Sequence, residues 1–189
     1  MKTLKIIVAA AAILMPGAAL AEDWGRFYAE VYGGAAIGTD STYNGTDYSM
    51  ATTWAAGAAF GVELPAGFSL GLDVMKTGEA EYDVEPDASL SNFSVMAEGE
   101  YAVALNDSFA VYGSLGLGAI NVAFTDNGVT DDAWGAGYSA AVGVRANMTE
   151  SMALFAEFKH QDTFDAVEIN GNDISAPTNT ALVGVRLSF

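Results

Sequence analysis

The sequence predicts an all-β fold, an eight-stranded antiparallel up-and-down transmembrane β-barrel preceded by a cleaved signal peptide. Three observations lead there. The chain opens on an export-type segment, eight later segments alternate apolar with other residues at period two, and the connections between those segments alternate short and long.

Lys2 and Lys5 form a basic start, residues 6–14 form an apolar run, and Pro16 and Gly17 break it. Ala19, Leu20 and Ala21 then supply a small-x-small site before Glu22. This is the layout of a secretory signal peptide. The competing reading, a membrane anchor, needs about 20 apolar residues, and the run falls well short of that. Residues 1–21 are therefore expected to be removed and residues 22–189 to form one barrel domain. Removal leaves five basic residues against 24 acidic ones, a net charge of −19. Such a chain does not bind nucleic acid by neutralising phosphates. Cysteine is absent, which excludes disulfides, thiolate metal sites and a lipidated cysteine anchor. The remainder is rich in Gly, Ala and aromatics, yet no stretch after residue 21 is a candidate spanning helix. A closed barrel is the other way for such a chain to sit in a bilayer.

Strict alternation marks strands with two unlike faces. The first segment, residues 27–37, sets Phe27, Ala29, Val31, Gly33, Ala35 and Ile37 on one face and Glu30 on the other. The second, residues 52–64, sets Trp54, Ala56, Ala58, Phe60, Val62 and Leu64 against Glu63. The third sets Phe68, Leu70, Leu72 and Val74 against Ser69, Gly71 and Asp73. The fourth, ending at Leu105, sets Phe93, Val95, Ala97, Gly99, Tyr101 and Val103 against Ser94, Met96, Glu98 and Glu100. The fifth, residues 109–121, is the least regular, with Phe109, Val111, Leu115 and Leu117 against Tyr112, Ser114 and two glycines. The sixth sets Trp134, Ala136, Tyr138, Ala140, Val142 and Val144 against Ser139 and Arg145. The seventh sets Met152, Leu154, Ala156 and Phe158 against Phe155, Glu157, Lys159 and Gln161. The eighth sets Ala181, Val183, Val185, Leu187 and Phe189 against Thr180, Gly184, Arg186 and Ser188.

Connections at residues 65–67, 106–108 and 147–151 are short, whereas those at 39–50, 76–89, 122–132 and 162–177 are long. Outer-membrane barrels have short periplasmic turns and long external loops. A soluble β-sandwich or lipocalin-like barrel also alternates. Its outward phase must be well solvated, but here the phase opposite the apolar one is mostly Gly, Ala and Ser. The apolar phase carries no charge within the core of any segment, so it is expected to face lipid. Its aromatics cluster at both ends: Phe27, Phe68, Tyr101, Phe109 and Phe189 at the periplasmic rim, and Trp54, Phe93 and Trp134 at the outer rim. Two interfacial girdles have this distribution, although aromatics at strand ends for other reasons would give it too.

With these residues in place, the chain resembles the small eight-stranded outer-membrane barrel family that includes the OmpA transmembrane domain, OmpX and the opacity-type surface proteins. The pattern covers residues 22–189, and the most specific motif is the C-terminus, Leu182 to Phe189. Gly184, Leu187 and Phe189 resemble the family's terminal signal for the barrel-assembly machinery. Leu182 departs from it, standing where a polar residue is usual. The resemblance implies an integral protein of a bacterial outer membrane, surrounded by lipid and lipopolysaccharide. The chain ends at Phe189, so tethering through the peptidoglycan-binding domain of longer relatives is not expected.

The inward phase carries Glu30, Glu63, Asp73, Glu98, Glu100 and Glu157 with Arg145, Lys159 and Arg186. An isolated charge inside a narrow barrel is costly, and eight strands leave room only for side chains. An ion-pair network plugging the lumen is expected, with Glu30 and Arg186 as one pair because the first and last strands must meet. A gated small pore is the functional version of the same residues. The outer connections are acidic: Glu79, Glu81, Asp83 and Glu85 suggest that the third strand continues as a ribbon, and Asp126, Asp131, Asp132, Asp162, Asp165, Glu168 and Asp173 add to the charge. Carboxylate clusters can hold Ca²⁺ or Mg²⁺, but none matches an ordered loop motif, so no metal or cofactor is expected. His160 with Asp162 on the same face is the one candidate for catalysis, as in lipid-modifying barrels. No serine is placed by a recognisable motif to serve as its nucleophile, and no catalytic residue is assigned. The sequence thus points to a non-enzymatic surface protein acting through four acidic loops, with a small porin as alternative and the external partner open.

Overall fold

The computed structural model describes residues 25–38, 40–82 and 85–189, with side chains at 85–87 left aside. The expected signal peptide, residues 1–21, and Asp83 lie outside the described residues. The described residues form thirteen strands: β1 (Arg26–Ile37), β2 (Asp40–Tyr43), β3 (Thr46–Ser49), β4 (Thr53–Glu63), β5 (Phe68–Thr77), β6 (Ala80–Tyr82), β7 (Glu85–Ala104), β8 (Phe109–Asp126), β9 (Val129–Asn147), β10 (Met152–Thr163), β11 (Val167–Ile169), β12 (Asn172–Ser175) and β13 (Thr178–Ser188). Eight of them, β1, β4, β5, β7, β8, β9, β10 and β13, close an antiparallel barrel. β1 pairs with both β4 and β13, and β5 pairs with β7. No described helix is long and apolar enough to cross a membrane.

Period two decides which way each side chain points. Leu115, Val142 and Val183 stand outward at 72%, 66% and 65% exposure, whereas Met96, Ser94 and Thr180 on the opposite phase are wholly buried at 0%. An apolar belt this large is unstable in water and stable in lipid. Inside, aromatic rings lie across glycines of the neighbouring strand. A Cβ on Gly143 would stand 2.4 Å from the Tyr112 ring, one on Gly57 2.4 Å from the Tyr32 hydroxyl, and one on Gly184 2.5 Å from Phe155. The glycines of the inward phase are thus the floor on which lumen aromatics rest.

The short turns are tight, as at Leu64 N to Phe68 O (2.7 Å) and Leu105 N to Phe109 O (2.8 Å). The outer side departs from the sequence expectation. Residues 122–132 are no loop, because β8 and β9 run on to a two-residue turn at Asn127 and Gly128. Residues 76–89 are largely paired as β6 and the start of β7. A bilayer needs only about 9–11 residues per strand, so β7, β8 and β9, with 20, 18 and 19 residues, rise well beyond it. Residues 39–50 and 162–177 contribute β2, β3, β11 and β12, which form a second sheet in the order β11-β12-β2-β3. Asn44-Gly45, Asn127-Gly128 and Asn170-Gly171 all have positive φ at both positions, the requirement of a type I′ hairpin. These three turns convert the expected loops into strands.

Candidate functional site

The lumen is filled in layers. At the end that carries the short turns, Arg186 on β13 donates from Nε to Glu30 on β1, its register partner. Arg186 also grips Glu100 through both terminal nitrogens, at 2.9 and 3.0 Å. Arg145 on β9 adds a bond to Glu100 at 2.7 Å. Such forked, charge-assisted bonds are the strong kind. Glu63 sits at the edge of this layer: it accepts from the Ser188 hydroxyl at 2.9 Å and lies 3.8 Å from Arg186, with its side chain 27% exposed. It faces an open vestibule of about 360 Å³ together with Arg26 and Asp107.

Above this lies a second ionic layer around Lys159 on β10. Its ammonium is 3.0 Å from Glu98, 3.2 Å from Asp73 and 3.6 Å from Glu157. Ser139 donates to the same Glu98 oxygen at 2.8 Å, and the Tyr32 hydroxyl donates to Asp73. The nine charged residues that the sequence assigns to the lumen therefore all lie on the inward side of the wall. The structure brings eight into two clusters and leaves Glu63 on the rim. The sequence reading passed over the tyrosines among them. Arg186 lies over the Tyr28 ring at 4.0 Å, Arg145 over Tyr112 at 4.7 Å and Lys159 over Tyr32 at 5.6 Å. Each inward base has a cation–π partner. The signal was present, since Tyr28 and Tyr32 share the phase of Glu30.

The outer half of the lumen carries no ion pairs among the described residues. Neutral polar contacts come next: Ser94 donates to Gln161 at 3.1 Å, and Asn92 donates to Thr178 at 2.6 Å. Then follows an apolar core of Leu90, Met96, Ile120 and Val122 from the barrel with Tyr82, Val167, Ile169 and Ile174 from the outer strands. Tyr43, Tyr48, Met50 and Phe124 pack around it. Burial pushes the Tyr82 phenol above its ordinary range, and the Ser41 hydroxyl 3.0 Å away is its hydrogen-bond partner. The sequence pattern does not mark this core, because Val167, Ile169 and Ile174 alternate with exposed carboxylates in a stretch that reads as a solvated loop.

Outside that core the cap is acidic. Asp40, Asp47, Glu79, Glu81, Asp126, Asp131, Asp132, Asp165, Glu168 and Asp173 are exposed. Lys76, the basic residue of the outer strand ends, is bound to Ser91 at 2.9 Å. Among the described residues no three His, Cys, Asp or Glu side chains are grouped to hold a metal ion.

On the lipid face, Trp54, Phe68, Tyr101, Phe109, Trp134 and Phe189 are exposed, whereas Phe27, stacked on Phe60, and Phe93, edge-on to Trp134, are half-buried. Leu182 is buried at 2% among Tyr32, Met75 and Phe155. Leu187 near the end of β13 and Phe189 just beyond it are exposed. His160 also faces outward, with Nδ1 2.8 Å from the Asn179 side-chain oxygen and Nε2 3.5 Å from the Tyr138 hydroxyl. Asp162 is engaged by the Thr163 amide instead.

Comparison with known proteins gives the same architecture. The neisserial surface protein NspA is similar, with a TM-score of 0.64 at 15% identity, over 86% of this chain and 97% of that one. The N-terminal barrel of Pseudomonas aeruginosa OprF has a TM-score of 0.58 at 16% identity, over 88% and 98%. Ail of Yersinia pestis has a TM-score of 0.55 at 15% identity, over 88% and 99%. At such identities the likeness is one of fold. No curated protein matches the chain. The outer membrane protein beta-barrel domain family matches residues 6–189. With a closed eight-stranded barrel, an apolar exterior and that match along nearly its whole length, the chain belongs to the outer membrane protein β-barrel domain family.

Proposed function

We propose that this protein is a non-enzymatic outer-membrane scaffold. Its barrel conducts little or nothing, and its acidic cap carries its interactions. The observation behind this reading is the stacking of two ionic layers, a neutral polar layer and an apolar core along one lumen, the last continuous with the folded outer strands. A channel has no use for a hydrophobic stopper built from its own loops.

The sign of the cap narrows the partner. One related barrel, Ail of Yersinia pestis, was crystallised in complex with the heparin analogue sucrose octasulfate, at a TM-score of 0.50 to this chain. A polyanion is repelled by the carboxylates exposed here, so the cap suits a cationic protein or peptide surface, which it steers by long-range attraction. Export through residues 1–21, recognition of Gly184, Leu187 and Phe189 by the assembly machinery, and residence among lipopolysaccharide complete the proposal.

Two measurements test it. Purified protein in planar bilayers is expected to show no reproducible conductance, and channels altered by Arg145→Ala or Arg186→Ala would favour a small porin. The vestibule of about 360 Å³ gives that second reading its one structural foothold. Immobilised protein is expected to retain polylysine at low salt, to release it as salt rises, and to ignore heparin. Heparin binding would contradict the cap assignment.

A further inference from the structure

On the lipid face a groove of about 800 Å³ crosses five strands, from Phe68 on β5 to His160 on β10. Its floor is Gly99 on β7, Gly113 on β8 and Ala140 on β9, and Leu115, Val142 and Phe158 stand along it. These two glycines differ from those of the lumen, where rings fill the space of the missing side chain. A Cβ on Gly99 would meet nothing nearer than Leu70 at 3.6 Å, and one on Gly113 nothing nearer than the Ala141 carbonyl oxygen at 3.6 Å. Glycine inside a strand marks a bulge, a bend or the close approach of a ligand. Register runs unbroken through both positions, which excludes a bulge. The hollow above them is the room that a ligand needs.

The two ends of the groove differ. At one end the Phe68 and Tyr101 rings pack together, with centroids 4.7 Å apart. At the other, the apolar belt holds a polar cluster. His160 Nδ1 bonds the Asn179 side-chain oxygen at 2.8 Å, which leaves the Asn179 amide nitrogen without a protein acceptor among the described residues. The Tyr138 hydroxyl stands 3.5 Å from His160 Nε2, a long contact. Asp162 is the register partner of Tyr138, and one of its oxygens accepts from the Thr163 amide. A polar group facing hydrocarbon costs free energy until it finds a partner. The cluster offers donors from an amide and a phenol, with one carboxylate as acceptor. The carboxylate repels phosphate, so the set suits a neutral group that both accepts and donates. An N-acyl amide does both and continues as an apolar chain, whereas an ester has no N–H. Four inter-strand spacings give the groove a length of about 19 Å. That takes one acyl chain running obliquely through half of a hydrocarbon core ~30 Å thick.

We propose that this groove binds one acyl chain of an N-acylated amino-sugar lipid, the class of lipid that anchors lipopolysaccharide. Tyr138 and Asn179 donate to the amide carbonyl, Asp162 accepts from the amide N–H, and the chain lies over Gly99, Gly113 and Ala140. His160 is a positioning residue that holds Asn179. The inference rests on the proposed residence among lipopolysaccharide, which places the end of β10 away from the short turns, and His160 with it, in the outer leaflet.

The test is native mass spectrometry of the barrel released from nanodiscs that hold phosphatidylethanolamine and lipid A in equal amounts. The parent is expected to keep one lipid A and no comparable phospholipid. Gly99→Leu with Gly113→Leu fills the groove, and both positions have room for a side chain. That variant is expected to keep its heat-modifiable mobility and to lose the bound lipid A. If it does not fold, Asn179→Leu takes its place. It removes the amide donor, leaves the groove open, and is expected to keep the two lipids alike. Retention of lipid A by the filled variant, or equal retention of both lipids by the parent, would overturn the proposal. So would a second copy of the chain in place of the lipid. Residence is read separately, by proteolysis of the cap in intact cells. A cap protected there would overturn the outer-membrane orientation, whereas a cap cut there with no preference for lipid A would overturn the groove alone.

Discussion

Arg186 shows how much one lumen side chain holds. Its guanidinium joins Glu30 and Glu100 while stacking on Tyr28. Removing one partner of a buried ion pair strands the other charge and costs about 3–5 kcal/mol. Arg186→Ala is expected to destabilise the barrel by that amount in urea titrations in lipid vesicles. The double variant Arg186→Ala with Glu100→Gln is expected to recover part of the loss. Simple additivity would mean that the two do not form one network. Gly143 works by absence. The Tyr112 ring occupies the space of its missing side chain, so Gly143→Ala is expected to cost about 1–3 kcal/mol through overpacking, measured in the same titration. The inward direction of Glu30, Arg145 and Arg186 was legible from period two alone. The tyrosine beneath each base was not, because which inward ring meets which inward charge depends on the stagger between neighbouring strands.

At the scale of elements, the eight barrel strands were readable because each carries two unlike faces over at least ten residues. The alternation marks β7, β8 and β9 over only part of their length. Beyond the membrane both of their faces meet water or the cap, and the alternation that marked them fades near Asn121 and Asp131. The chemistry of their turns was available in Asn44-Gly45, Asn127-Gly128 and Asn170-Gly171, whose positive φ values make them hairpin ends. Gly171 joins β11 to β12, so a β-branched side chain there forces a left-handed backbone at about 1–2 kcal/mol. Gly171→Val is expected to open the β11-β12-β2-β3 sheet to added protease, giving cleavage near residues 162–177 in intact cells. The barrel itself is expected to keep its heat-modifiable mobility on gels. An uncut cap, or loss of the compact band, would mean that cap and barrel are one cooperative unit.

At the scale of the whole molecule, two solvents share one protein. Lipid takes the apolar phase, the lumen takes nearly all of the ionic phase, and the acidic cap projects into water beyond the outer rim. The architecture was legible because a closed barrel imposes the same choice on every strand. The apolar stopper was not, since it joins residues more than a hundred positions apart, such as Tyr43 and Ile174 on paired strands β2 and β12. The most direct measurement of the central claim is tryptophan quenching by brominated acyl chains. It uses single-tryptophan variants in a background with Trp24, Trp54 and Trp134 replaced by Phe. Tryptophan at Leu115, Val142 or Val183 is expected to be strongly quenched, and tryptophan at Tyr28, Tyr112 or Phe155 to be spared. Equal quenching at both sets, or the reverse pattern, would contradict the assignment of the apolar phase to lipid.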